Sequence, residues 1–288
     1  MNEGYYVIRT YAAGAIGEKT KFWVPGARPD HRNRKKEREA IRKQEQNEYS
    51  AVKRFARELN ANCNSEWDLL GLDYTPAYYK KLVSYAETHT FNISEEFEGE
   101  AAQMEQIRLA ADRELKNGIR RVKRELSKKG VELKCFSVTS DMDGDTGEYV
   151  RVHHHLVVPR YAREAFVKSW SKQGGVDWKP LSDQPDYTAV AEYLLKQVRR
   201  VKGEHKYSSS RNLIRPQPDD RIAVSGAELR VPKGGELLYR SAYRKGGAQY
   251  IRYILPEEKR QRFEMAEITG GAGIEKVQTI KKRQKKRE

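Results

Sequence analysis

Three consecutive histidines, His153, His154 and His155, are the residues of this chain best suited to metal chemistry. They lie in an apolar run, from Tyr149 to Val158, that is typical of a β-strand. Alternate side chains of a strand share a face, so His153 and His155 point one way and His154 points the other. Neutral imidazoles side by side can hold a divalent cation. We predict that His153 and His155 are metal ligands and that His154 faces inward; a run of exposed, tag-like histidines is the alternative.

A third ligand would be a carboxylate on or beside the neighbouring strand. Asp141 directly follows that predicted strand, and a tight turn should bring it within reach of the histidine face. Glu148 is the competing candidate. Asp141, Asp143 and Asp145 could equally be turn-formers, because Asp-Gly sequences favour tight turns whatever the function. We predict Asp141 as the third ligand of a Mg²⁺ or Mn²⁺ ion.

Tyr193 is the candidate nucleophile, three residues before Lys196 in a predicted helix from Tyr187 to Val201. Tyr193, Lys196 and Arg200 are spaced to share one side of that helix. A phenol with its ordinary pKa of ~10 is a poor nucleophile, but nearby cations stabilise the phenolate and a metal ion can polarise the phosphate under attack. Tyr187 is predicted to pack at the helix start, with a second nucleophile as the alternative.

The elements that must position these residues follow the order strand, helix, strand, strand, helix, strand, helix. Their predicted ranges are Trp67–Tyr74, Ala101–Lys129, Leu133–Thr139, Tyr149–Val158, Ala162–Trp170, Val176–Leu181 and Tyr187–Val201. Apolar residues of the first helix recur at spacings of three and four, which is one helical face. The order predicts an α+β fold, in which an antiparallel sheet carries two crossover helices on one face in the ferredoxin-like (RRM-like) arrangement, followed by an added helix.

The charge of the chain favours an acidic polymer as partner. Lys and Arg number 56 against 41 Asp and Glu, a formal net charge of +15, and such a surplus attracts phosphates and releases their counterions. Ribosomal, membrane-surface or heparin-type binding would give the same excess. No apolar run is long enough to span a bilayer, and Cys63 and Cys135 support neither a disulfide framework nor a cysteine zinc site. We expect a cytoplasmic protein without membrane association.

These motifs resemble those of HUH-type rolling-circle replication initiators, the replication-associated proteins of small phages and plasmids. The resemblance rests on His153-His154-His155 followed by Leu-Val-Val and on Tyr193-Leu-Leu-Lys196, and the domain is similar to that of phage replication gene II products. Three flanking segments also look like the family: Asn60–Cys63, Asp112–Leu126 and Tyr207–Leu213. The middle position of the histidine motif, usually bulky and apolar in the family, is His154 here, and a glutamate often stands where this chain has Ser140-Asp141.

The resemblance implies a ferredoxin-like nuclease fold with a divalent metal ion over the sheet. Tyr193 would attack single-stranded DNA at a replication origin and form a 5′-phosphotyrosine link, while Lys196 orients the nucleophile or a metal-bound water. The released 3′ hydroxyl would prime host polymerase, with host helicase as a further partner, because no GxxxxGK[ST] loop is present. Four residues are predicted to bind nucleic acid: Ser208, Ser210, Arg211 and Arg200. A serine-rich linker is the alternative for the segment from Ser208.

The chain is predicted to divide into three parts. Residues 66–202 would form the HUH endonuclease domain, with an insertion at 75–100. Residues 1–65 would be a basic region with a helix, since Arg28 to Arg57 carries eleven Lys or Arg against five Asp or Glu. Residues 203–288 would be a basic, irregular C-terminal extension, whose last eight residues hold six Lys or Arg.

Two other hypotheses remain open. A single-tyrosine transposase or a plasmid-mobilisation relaxase would share the motifs and the chemistry but act on a different substrate. A non-catalytic nucleic-acid-binding protein on a similar sheet, such as an RNA-binding or repressor module, would form no covalent product.

Overall fold

The computed structural model describes residues 4–24, 50–89, 91–200, 204–223, 228–242, 248–260, 263–269 and 274–280. In chain order, the strands are β1 (Tyr5–Ala13), β2 (Ile16–Val24), β3 (Trp67–Leu72), β4 (Phe136–Met142), β5 (Tyr149–Pro159), β6 (Val176–Pro180), β7 (Ser208–Ser209), β8 (Asp219–Ala223), β9 (Glu236–Ala242), β10 (Gln249–Ile254), β11 (Phe263–Thr269) and β12 (Ile274–Ile280). The helices are α1 (residues 50–62), α2 (Pro76–Thr88), α3 (Gly99–Lys128), α4 (Arg163–Trp170) and α5 (Thr188–Lys196).

The first sheet has the strand order β6-β3-β5-β4-β7, and every pair in it is antiparallel. Strand β5 is central and pairs with β3 on one side and with β4 on the other. The mixed α+β class with an antiparallel sheet is confirmed. The seven predicted elements are also present, with ends that differ by a few residues, because the helical and strand periodicities of this region are strong.

Helices cover both faces of this sheet. Helices α2, α3 and α4 pack on one face through a core that includes Leu70, Leu156 and Trp170. Helices α1 and α5 pack on the other face through a core that includes Phe55 and Leu194. Strands β3, β4 and most of β5 are therefore buried from both sides, whereas the edge strand β6 is largely exposed.

Helix α2 occupies half of the segment that the sequence predicted only as an insertion at 75–100. Thr75 caps it, because its side chain accepts a hydrogen bond from the backbone N–H of Tyr78, and Pro76 provides the first helical residue. Helix α3 ends before Gly130, whose φ of +73° is the left-handed conformation that commonly terminates helices.

The second sheet joins the two ends of the chain in the order β8-β1-β2-β10-β9. Strands β1 and β2 form a hairpin around Gly14, where φ is +58° and an added Cβ would lie 1.9 Å from the carbonyl oxygen of Asn60 in α1. The hairpin tip therefore touches α1 so closely that only glycine fits.

The strands outside residues 66–202 correct two predictions. The C-terminal extension was predicted to be irregular, but it contains strands β7 to β12, and the N-terminal region contains a β-hairpin as well as a helix. Strand β9 shows why the sequence did not predict them: its apolar residues, Leu237 to Tyr239, are consecutive and do not alternate with polar ones. Residues 28–49 of the predicted basic helix and the tail from Lys281 lie outside the described residues.

No helix in the described part of the chain is both long enough and apolar enough to cross a bilayer.

Candidate metal and nucleophile site

The three histidines of β5 alternate as predicted. His154 is fully buried, whereas His153 and His155 lie together on the opposite face and are partly exposed. Their two Nε2 atoms are 3.2 Å apart, and the rings meet edge to face. The strand therefore presents two imidazole nitrogens to the same point in space.

The protonation of His153 follows from its partner. Its Nδ1 lies 3.0 Å from the carbonyl oxygen of Arg151. A carbonyl oxygen only accepts hydrogen bonds, so Nδ1 carries a hydrogen and Nε2 is the nitrogen that faces His155. Burial, together with the neighbouring His153, lowers the pKa of His155 to about 4. The ring of His155 is therefore neutral near neutral pH, which is the form that binds a metal ion.

Gln197 adds a third donor that the sequence did not single out. Its side-chain oxygen Oε1 lies 3.3 Å from Nε2 of His155, just beyond the end of α5. The available signal was its spacing, four residues after Tyr193, which places both residues on one side of the helix. Amide oxygens suit Mg²⁺ and Mn²⁺, and imidazole nitrogens also bind divalent metals.

The separations fit a bound divalent cation. Metal–nitrogen and metal–oxygen bonds of about 2.1 Å at angles near 90° to 110° place neighbouring ligand atoms roughly 3.0 to 3.4 Å apart. The His153–His155 and His155–Gln197 separations of 3.2 and 3.3 Å fall in that range. Among the described residues, no three His, Cys, Asp or Glu side chains form such a group, so a carboxylate-completed site is not formed there.

Asp141, the predicted third ligand, is not brought to the histidine pair. A register shift between Ser140 and Met142 displaces it from the ladder with β5, and its carboxylate lies 3.3 Å from the guanidinium of Arg200. Both side chains are almost completely buried. Burial raises the pKa of Asp141, while Arg200 opposes that rise. The bulge and this ion pair give Asp141 a partner away from the histidine face.

The other acidic candidates are part of the turn between β4 and β5. Oδ1 of Asp143 accepts hydrogen bonds from the backbone N–H groups of Asp145 and Thr146, and these bonds lower the pKa of Asp143. Glu148 is exposed, and its backbone oxygen accepts a hydrogen bond from Asp143. The alternative that Asp143 is a turn-former is therefore confirmed.

Tyr193 lies beside the histidine pair. Its ring centroid is 6.1 Å from that of His155, and the residue is 55% exposed. Tyr187 is buried instead, its hydroxyl donates to the backbone oxygen of Ser182, and burial raises its pKa. The predicted packing role of Tyr187 is confirmed, and Tyr193 is the accessible phenol on α5.

Lys196 and Arg200 each have an ionic partner within the protein. Lys196 is exposed and its Nζ lies 2.7 Å from Oδ1 of Asp145, so its ionic partner is the turn. Arg200, predicted to contact nucleic acid, is buried against Asp141 and donates to the backbone oxygen of Thr139.

The serine segment adds an edge strand to the first sheet. Ser208 and Ser209 pair with β4, and Oγ of Ser210 accepts a hydrogen bond from the backbone N–H of Cys135. Ser210 is therefore occupied by the fold, whereas Ser208 and Arg211 are exposed. Of the four residues predicted to bind nucleic acid, the structure leaves these two accessible.

His154 belongs to a buried hydrogen-bond chain on the α3 side of the sheet. Thr139 donates its single hydroxyl hydrogen to the Asp112 carboxylate, which Arg108 also contacts. Thr139 must then accept from Nδ1–H of His154 at 3.0 Å, which leaves Nε2 to accept from the Tyr74 hydroxyl at 2.8 Å. Burial lowers the pKa of His154 to about 3. His154 is therefore neutral, and each of its nitrogens is satisfied.

An open cleft of 1570 Å³ adjoins Tyr193 and Lys196. Cationic side chains from α1, from the segment after α5 and from the region around β7 line it: Arg54, Arg199, Lys206 and Arg215. Acidic residues line it too, including Glu58 and Glu192. The candidate nucleophile thus faces a wide groove that carries charges of both signs.

Comparison with known protein families, with curated proteins and with solved structures finds no match to this chain.

Proposed function

We propose that this protein is a metal-dependent endonuclease that cleaves single-stranded DNA through Tyr193 and initiates rolling-circle replication. The observation that carries the proposal is the convergence of His153, His155 and Tyr193. The two Nε2 atoms are 3.2 Å apart, and an exposed phenol lies with its ring centroid 6.1 Å from His155. A metal-ligand pair beside an accessible nucleophile is the arrangement that phosphodiester cleavage by a tyrosine requires.

The strand order supports a ferredoxin-like class for the first sheet. Strands β3, β4, β5 and β6, with α3 and α4, follow the order strand, helix, strand, strand, helix, strand. Numbered within this unit, the spatial order β6-β3-β5-β4 is 4-1-3-2. Both crossover helices lie on the His154 face, which leaves the opposite face of β5 to the histidine pair and α5.

His153, His155 and Gln197 are the residues that would hold the metal ion. Mg²⁺ or Mn²⁺ bound there would polarise the scissile phosphate and neutralise part of its charge. Tyr193 supplies the nucleophilic oxygen, which forms a bond to phosphorus as the bond to the 3′ oxygen breaks. The phenolic proton passes to water, and the departing 3′ oxygen takes up a proton to become a hydroxyl. The products are a 5′-phosphotyrosine link and a free 3′ hydroxyl.

The covalent link explains why a tyrosine is preferable to water as nucleophile. The phosphotyrosine retains the energy of the phosphodiester, so a 3′ hydroxyl can later reverse the step and rejoin the strand. Arg54, Lys206 and Arg215 in the adjoining cleft are placed to contact the backbone of the bound strand. Lys196, paired with Asp145, is placed to hold the β4–β5 turn against the end of α5.

The test is the formation of a protein–DNA adduct. The full chain is incubated with Mn²⁺ or Mg²⁺ and a pool of random single-stranded oligonucleotides, and the products are separated on a denaturing gel. Tyr193→Phe should abolish the adduct. Tyr187→Phe is the matched control and should retain it, because Tyr187 is buried and serves packing.

The outcomes separate the competing functions. Sequencing the DNA in the adduct identifies the cleavage site, and rejoining to a second strand detects the transfer chemistry that relaxases and transposases share. Single-stranded DNA binding without any adduct would assign the chain to the non-catalytic class. An adduct that survives Tyr193→Phe would place the nucleophile elsewhere.

A further inference from the structure

Helix α3 carries a row of positive charge on the side of the sheet opposite to Tyr193. Its last fourteen residues hold six cations and one acid, Glu125. Four exposed cations recur at intervals of four: Lys116, Arg120, Arg124 and Lys128. Residues four apart lie one above another on a helix, so these four side chains form a single row of about 18 Å.

The four cations of this row do not stabilise the helix, so helix stability does not explain their positions. Like charges at i, i+4 repel, and the row contains three such pairs in succession. The helix dipole favours cations only near the last turn, which contains Lys128 but not Lys116 or Arg120. Arg120 has a hydrogen bond to Asn117, and within the described residues Lys116, Arg124 and Lys128 have no ion pair with a carboxylate.

The row borders a second cationic surface. Arg124 and Lys128 line a groove of 610 Å³ together with Arg121, Lys129 and Lys168. Glu125 is the one acid in that lining, and it pairs with Lys168 at 3.4 Å. The groove is therefore positively charged overall and lies between α3 and α4, whereas Tyr193 lies on α5, across the sheet.

We propose that this row is a docking surface for the phosphate backbone of double-stranded DNA. Duplex DNA carries one negative charge per ~1.7 Å of axis, so about ten phosphates lie along the length of the row. The positions between the row residues include Asn117, Lys123 and Ser127, which are polar and not the apolar anchors of a membrane-surface helix. The choice of DNA over other polyanions rests on the proposed function. The existence of the cationic row is independent of that function.

Such a surface would separate the two forms of DNA between the two sides of one sheet. The single strand would enter the cleft at Tyr193, and the duplex beside it would be held by α3. Because the row residues lie far from the cleft in the fold, their loss should weaken duplex binding and leave the cleavage of short single strands unchanged.

The test is a neutralised row in a chain that cannot cleave. In the Tyr193→Phe background, the four row residues are changed together: Lys116→Gln, Arg120→Gln, Arg124→Gln and Lys128→Gln. The control removes four exposed lysines elsewhere: Lys80→Gln, Lys81→Gln, Lys179→Gln and Lys233→Gln. Binding to a blunt duplex of about two helical turns is measured by fluorescence anisotropy over a series of salt concentrations.

The row variant should bind the duplex at least tenfold more weakly than the control variant at ~0.1 M salt, and its salt slope should be smaller in magnitude by about 3.6, since four phosphate contacts are lost and each contributes about 0.9. Thermal melting by circular dichroism should show that the row variant is at least as stable as the parent, because three repulsive pairs are gone. Equal binding by the row and control variants would overturn the proposal.

A second arm tests the membrane as the source of phosphate. If the row variant loses binding to vesicles containing phosphatidylserine but keeps duplex binding, the proposal is wrong. Because every measurement uses Tyr193→Phe, a failure of the nicking proposal in its own assay leaves the duplex result unaffected.

Discussion

The two faces of strand β5 carry histidines with opposite surroundings, although the residues are adjacent in sequence. On the α3 face, His154 is fully buried and both of its nitrogens are hydrogen-bonded, to Tyr74 and to Thr139. On the α5 face, His153 and His155 turn their Nε2 atoms toward each other, beside an exposed tyrosine. The first arrangement gives both ring nitrogens buried partners, and the second brings two ring nitrogens to one point.

One face of β5 thus contributes to stability, and the other carries the candidate metal ligands. A buried, satisfied polar chain gives stability and a defined position, since leaving any member unpaired costs the desolvation of that group. A pair of adjacent ring nitrogens that is partly exposed adds less to stability, but it suits a cation. We therefore expect substitutions on the α5 face to affect activity and substitutions on the α3 face to affect stability.

The largest effect is expected from the double variant His153→Ala, His155→Ala. Loss of the metal ligands should reduce metal-dependent adduct formation at least ~1000-fold, which corresponds to about 4 kcal/mol of the barrier. The free energy of unfolding should change little, because these side chains are partly exposed. Quantified denaturing gels and urea unfolding measure the two quantities, with His89→Ala as the control for an exposed histidine. Normal cleavage by the double variant would refute the metal site.

The next largest effect, a loss of stability, is expected from His154→Leu. Leucine fills the space but leaves the Tyr74 hydroxyl and Thr139 without their buried partner, so the free energy of unfolding should fall by about 3 kcal/mol. Urea unfolding at neutral pH measures the loss. Adding Thr139→Val should give a total smaller than the sum of the single losses, because both changes break the same hydrogen bond. Additive losses would show that the two residues are not coupled.

A smaller effect is expected from pH. The folded-state pKa of His154 is about 3, below the ordinary value of 6.5, because burial disfavours the charged ring. Between these values the unfolded chain binds a proton that the folded chain excludes, so stability is full above pH 6.5 and declines as the pH falls toward 3. At pH 5, because the folded ring excludes this proton, the free energy of unfolding should be about 2 kcal/mol lower than at pH 7.

Urea unfolding of the wild type and of His154→Leu at pH 7 and pH 5 measures this contribution. The wild type should lose more stability than the variant on acidification, by about that 2 kcal/mol. His155 has a folded-state pKa of about 4 and acts in the same direction in both proteins. Equal losses in the two proteins would mean that His154 does not resist protonation.

The smallest effect is expected from Gln197→Ala. Removal of the amide oxygen should weaken Mn²⁺ binding about tenfold, or about 1.4 kcal/mol, because two ligands of the proposed three remain. Gln197→Glu should retain binding, since a carboxylate oxygen also suits Mn²⁺. Isothermal titration with Mn²⁺ measures both variants, and an unchanged affinity in Gln197→Ala would exclude this side chain from the site.

Much of the first sheet could be predicted from the sequence because its signals are local. Strand alternation alone placed His153 and His155 on one face and His154 on the other. The position of Asp141 could not be predicted, because a bulge of one residue changes which face a side chain meets. Gln197 was missed for a related reason: its spacing from Tyr193 places it on the same side of α5, but its contact with His155 depends on how the end of α5 packs against β5.

The second sheet was missed because its pairings are remote. Arg9 of β1 forms an ion pair with Asp220 of β8, and the two residues are 211 positions apart. Strand β8 is short and polar, and the apolar residues of β9 are consecutive and exposed, so neither strand has an apolar alternation and only their partners define them. A single sequence contains no local signal of that partnership.

The same sheet sets a waiting time during synthesis. Strands β1 and β2 leave the ribosome before their partners, and β8, β9 and β10 are all complete only about 230 residues after β2. At roughly 5 to 20 residues per second, the hairpin waits between about 12 and 46 s with unpaired edges. The first sheet is complete at Ser209, before the second can close. The hairpin is thus made before every strand that pairs with it, and its sheet closes only after the first sheet is complete.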